Sequence, residues 1–158
     1  MRRAAGLPRH PTQIVATQRG LNLGRGLIFN VPEVPVILLS GPAGIRAMAP
    51  ELETRPWIRA VMLATPADLT PAFARLRADG MRRISCIGGR TLAAALVARK
   101  LVDDTYLTTS ARVGGEPETP LPPAALDGDV IVEKQGTAED RGVAFQHFDL
   151  QTRRGRHG

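Results

Sequence analysis

The apolar residues of this chain fall into short runs in its first part, take helical spacing in its middle and return to short runs near its end. Residues 13–17 form the first run, β-branched at Ile14, Val15 and Thr17 and followed by the turn-rich Arg19-Gly20 and Gly24-Arg25-Gly26, the pattern of a strand. Residues 34–39 are apolar up to Ser40-Gly41-Pro42, as expected of a strand covered on both faces. Pro42-Ala43-Gly44 would loosen any short helix running on to Met48. A third strand is predicted over residues 58–63, after the punctuation of Pro56-Trp57.

The spacing then changes. Leu69-Thr70-Pro71 opens a helix in which Thr70 can cap, Pro71 suits the first turn and Gly80 stops the chain. Leu69, Phe73 and Leu76 share its apolar face. Residues 83–87 read as a fourth strand, broken by Gly88-Gly89, with Cys86 as a core residue. Residues 91–101 read as a second helix, with Leu92 and Leu96 on one line and Ala93, Val97 and Leu101 on the next. Strands alternating with helices predict a parallel α/β core. Residues 105–111 are a further strand and 114–123 an irregular stretch. Residues 130–133 and 143–148, separated by the polar turn residues 136–142, read as an antiparallel hairpin.

Composition narrows the classes. The 158 residues suit one domain, and Leu, Ile, Val and Phe make up about a quarter of them, which excludes general disorder. No apolar run nears the roughly 20 residues of a membrane span, and no signal-peptide core follows the basic start. A single cysteine excludes an internal disulfide and a multi-cysteine zinc site. A cytoplasmic domain without a membrane partner is expected. The net charge of +6 sits in the ends, at Arg2, Arg3 and Arg9 and at Arg153, Arg154 and Arg156; the body between is balanced. Residues 1–10 are thus read as a basic arm, 11–150 as the folded domain and 151–158 as a basic tail. With few aromatic residues to stack on bases, the pattern speaks against a nucleic-acid partner.

Most catalytic constellations are missing. His10, His147 and His157 are too scattered for a metal cluster, and His147 is read as structural or solvent-facing. Ser40, Ser85 and Ser110 stand in no nucleophile elbow. Asp103-Asp104 reads as a solvated turn, although its charge opposes the preceding helix dipole. The sharpest feature is Ile87-Gly88-Gly89-Arg90-Thr91-Leu92, where a strand pattern meets a helix across two glycines. Such a junction lets phosphates approach the backbone and aims the first helical amides at them, with Arg90 and the Thr91 hydroxyl able to add contacts. The same residues also suit a tight turn with no ligand, and neither a full phosphate loop nor a dinucleotide fingerprint is present.

The order of motifs is more specific than any one of them. Ile84-Ser85-Cys86-Ile87-Gly88-Gly89-Arg90-Thr91-Leu92, Leu101-Val102-Asp103-Asp104, Tyr106-Leu107-Thr108-Thr109-Ser110, Gly114-Gly115-Glu116 and the closing residues 142–148 together resemble one family. It is the C-terminal reductase domain of the bifunctional deaminase/reductase of riboflavin biosynthesis, and the likeness extends over about residues 6–150. The resemblance implies a dihydrofolate-reductase-like fold, a mixed sheet flanked by helices with a C-terminal antiparallel hairpin. It also implies NADPH as cofactor and hydride transfer to a small-molecule substrate, a ribosylamino-pyrimidine phosphate. Carried over by position, Gly88, Gly89, Arg90, Thr91 and Leu92 would wrap the cofactor pyrophosphate, and Thr17 and Ser40 would contact the cofactor. No catalytic residue or metal ligand is assigned.

This chain departs from the family at three places: Ile87 stands where the family has a substrate-holding Glu, Arg90 where a Pro is common, and Ala111 where a Pro is frequent. The chain also reads as lacking the family's first strand, helix and Gly-Thr loop, which supply much of the substrate pocket. An unpaired apolar sheet edge would then favour a homodimer or other self-association. The alternative reading is a non-catalytic nucleotide-binding or assembly remnant of the same domain. Polyanion binding through the Arg-rich ends is a third class.

Overall fold

A computed structural model describes residues 2, 4, 6–65, 68–109, 129–135 and 143–150, with the backbone alone for residues 129–135. The chain divides into two compact units, Met1–Met81 and Arg82–Gly158.

The first unit is built on a parallel sheet of β1 (Gln13–Thr17), β2 (Val36–Ser40) and β3 (Ile58–Met62), in the order β1-β2-β3. All five residues of the central strand are buried, which is why its sequence is apolar without alternation. Successive side chains leave a strand on opposite faces. Val36 and Leu38 accordingly enter one cluster with Leu23, Phe29, Met48 and Ile58. Ile37 and Leu39 enter another with Leu76, against which Phe73, Ile14 and Val61 pack. Each such buried side chain contributes about 1.5–3 kcal/mol. Helix α1 (Pro42–Glu53) thus supplies one face of the sheet through Met48, and α2 (Leu69–Ala78) the other through Leu76.

Two details of this unit depart from the sequence reading. Helix α1 does not stop at Met48 but continues to Glu53 through an internal Pro50. Proline deletes one hydrogen bond from a helix interior; the seating of Met48 and Leu52 in the core offsets that loss. Gly44 is a packing position, not a weak point, as described below. The cap of α2 is Asp68 and not Thr70, and the Asp68 carboxylate accepts from the Thr65 amide at 2.8 Å. The stop at Gly80 is as expected. Its φ of +90° lets Gly80 donate to the Arg77 carbonyl and Met81 to the Leu76 carbonyl, a Schellman ending.

Between β1 and β2 the chain makes two short 3₁₀ turns, Leu23–Arg25 and Leu27–Phe29. Asn30 holds them together by donating its side-chain amide to the carbonyls of Leu23, Gly24 and Gly26. Arg55 fixes Asn30 in turn, donating to its Oδ1 at 2.8 Å.

The second unit contains α3 (Arg90–Ala98) and an antiparallel sheet of β4 (Asp104–Thr109), β5 (Asp129–Gln135) and β6 (Ala144–Asp149), ordered β4-β6-β5. The β5–β6 hairpin is the one expected, with a register shift between Val130 and Val132. Its turn, residues 136–142, lies outside the described residues, as do residues 110–111 and the irregular stretch 114–123.

The fourth strand is not formed. Residues 83–87 have no strand assignment and no ladder partner among the described residues, and all five are exposed, Cys86 included. A strand is stable only when its backbone groups are paired with a neighbour, and β-branched composition does not supply one. Cys86 is therefore not a core residue here.

Helix-flanked parallel strands followed by a sheet that ends in an antiparallel hairpin place the chain in the mixed α/β class of dihydrofolate-reductase-like folds. Among the described residues, no helix is long and apolar enough to cross a membrane.

Candidate functional site

In the second unit, the Gly88-Gly89 junction opens α3. Gly89 is its N-cap, with φ −64° and ψ 163°, and its carbonyl accepts from the amides of Leu92 and Ala93, both at 3.1 Å. Gly89, without a side chain, gives the first turn no side-chain cap. These backbone angles are open to any residue. Among the described residues, a β-carbon on Gly89 would meet no atom within 4 Å, whereas one on Gly88 would press on the Leu92 side chain at 3.1 Å. Gly88 is thus crowded by the flexible end of Leu92, and Gly89 is not crowded by any described residue. Arg90, Thr91 and Leu92 follow as the first three helical residues, and Arg90 is exposed. Ile87, just before the glycines, is 97% exposed.

In the first unit, Thr17 and Ser40 are partners in the β1–β2 register, at the carboxyl ends of the two strands. Crevices outside such strand ends are where open α/β sheets bind ligands. The Thr17 hydroxyl is committed to the chain, donating to the Gly20 carbonyl at 3.0 Å. Ser40 is 1% exposed, and its Oγ has no hydrogen-bond partner among the described residues. It sits beneath the first turn of α1, which begins at Gly41 and Pro42. Gly44, in that turn, packs on Ser40 Oγ, the Gly20 amide and the Gln18 carbonyl, closely enough that none of them leaves room for a β-carbon. The helix start, the end of β2 and the loop after β1 therefore converge within van der Waals contact, a second strand-glycine-helix junction that the composition of residues 40–44 could have signalled.

One polar constellation escaped the sequence reading. Tyr106 and His147 are register partners on β4 and β6, and their rings stack at 4.2 Å between centroids with 11° between planes. His147 Nε2 lies 2.8 Å from Asp104 Oδ1. Asp104 is accordingly the first residue of β4 and holds an imidazole on the neighbouring strand, rather than decorating a solvated turn. Only the antiparallel register brings these residues together, since 43 positions separate them along the chain.

A sequence model described as the RibD C-terminal domain matches residues 2–137. The chain belongs to this family. The riboflavin-biosynthesis resemblance read from the Gly88-Gly89 region is thus confirmed over nearly the full length. At the level of the family, membership carries NADPH-dependent reductase chemistry in riboflavin biosynthesis. A comparison with curated proteins finds no match.

Proposed function

We propose that this chain is an NADPH-dependent reductase that acts on a ribosylamino-pyrimidine phosphate. The observation that carries the reading is Gly89: in a member of this family, it opens a helix where glycine suits the N-cap but no described atom is close enough to exclude a side chain. Approach of a ligand phosphate is a further reason for glycine there. Gly88, Gly89, Arg90, Thr91 and Leu92 would hold the cofactor pyrophosphate, the helical amides and the Arg90 guanidinium offsetting its charge. Thr17 and Ser40 are the cofactor contacts proposed in the first unit, from their place at the carboxyl ends of β1 and β2. When bound, NADPH would supply the hydride for reduction of the ribosyl group to its ribityl form, the proton coming from solvent. The task of the protein is to orient the two reactants, and Ile87 is proposed to face the substrate.

The test is NADPH titration of the wild-type chain and of Gly89→Val. Weakening of at least about tenfold, or about 1.4 kcal/mol, is expected with secondary structure unchanged, because a β-carbon there meets no described atom within 4 Å. Equal affinity would refute the proposed phosphate turn. A second reading, nucleotide binding without turnover, is favoured by Ile87, whose side chain has no group to accept a hydrogen bond from a polar substrate. NADPH binding without consumption in an assay with the pyrimidine substrate would select it. We further propose that the chain self-associates, since Ile84, Ile87, Tyr106 and Phe145 are exposed. Light scattering showing a monomer at high concentration would exclude this.

A further inference from the structure

We draw no further inference here: the strongest candidate, the exposed Tyr106–His147 ring stack on the antiparallel sheet, is a surface for which nothing in the structure shows what ligand or partner covers it.

Discussion

Gly44 stands so close to Ser40 that a β-carbon at residue 44 would overlap the Ser40 hydroxyl oxygen. The overlap cannot be relieved sideways, because the Gly20 amide and the Gln18 carbonyl, both backbone groups, close the other approaches. Helix propensity alone favours alanine over glycine at such a position by about 1 kcal/mol, whereas overpacking costs about 1–3 kcal/mol. The backbone walls decide for the cost. Gly44→Ala should therefore lower the denaturation midpoint despite its better helix propensity, and a raised midpoint would show that α1 can lift from the sheet.

The Ser40 hydroxyl beneath that helix is buried and has no partner among the described residues. An unsatisfied buried polar group costs about 1–3 kcal/mol, so Ser40→Ala should leave stability unchanged or raise it by about 1 kcal/mol. The same variant should bind NADPH more weakly if the hydroxyl serves the cofactor. Chemical denaturation and titration on one preparation read the two effects separately. Loss of stability would mean instead that the hydroxyl has a partner in the folded protein.

How much of this was legible beforehand depended on whether the signal was local. The uninterrupted apolar run at β2 announced a strand covered on both faces, and Gly80 announced the end of α2, because burial and positive φ act directly on the residues concerned. Residues 83–87 show the converse. Ile84, Cys86 and Ile87 have strand composition, yet a strand also needs a paired neighbour, and composition carries no information about that. Helix α1 runs beyond the expected Met48 to Glu53 for a related reason: the packing of Met48 and Leu52, which local sequence does not reveal, outweighs the interior Pro50. At the candidate site, the glycine pair was visible as a motif. The Asp104–His147 contact was not, since it depends on register across the sheet.

Lys100 ends α3 with a φ of +54°, donating to the Val97 carbonyl while Leu101 donates to that of Leu96. This is the ending seen at Gly80, made here by a residue that carries a β-carbon. The left-handed region costs a non-glycine residue about 1–2 kcal/mol, partly offset by a lysine charge at a helix C-terminus, about 0.3–1 kcal/mol. Lys100→Gly should therefore stabilise the second unit by up to about 1 kcal/mol, read as a higher thermal midpoint. A lower midpoint would mean that the lysine side chain matters more than its backbone angle.

Asp79, at the end of α2, is held below the usual carboxylate range chiefly by a hydrogen bond from Arg59 on β3, at 2.6 Å; desolvation opposes this, and the charge of Arg59 and then Arg75 add to the lowering. A carboxyl whose folded value is depressed binds protons more readily in the unfolded chain. Its stabilising contribution is thus complete at neutral pH and is lost as the pH falls below about 4. The advantage of wild type over Asp79→Asn should be small at neutral pH, since the groups are solvent-accessible, and should vanish in that acidic window. Raised salt should shrink it as well. A difference between the two proteins that persists unchanged at pH 2 would assign the effect to packing and not to charge.

Ile87 tests whether the proposed substrate is the one used. It is 97% exposed beside the glycine pair, so Ile87→Glu replaces no core contact and should leave the folding stability within about 0.5 kcal/mol of wild type. If the substrate presents a polar group there, a carboxylate would accept a hydrogen bond that isoleucine cannot. A bond to a charged acceptor contributes about 1.5–3 kcal/mol, which corresponds to a gain of about 10- to 150-fold in kcat/KM. A gain in 1/KM alone would mean that the new bond forms equally in ground and transition states, whereas a rise in kcat would place it nearer the reacting carbon. Equal or lower kcat/KM in a folded variant that still binds NADPH would show that this position has been given over to a less polar acceptor. Steady-state kinetics with the ribosylamino-pyrimidine phosphate, alongside NADPH titration of the same variant, separates that outcome from failure of the cofactor turn itself.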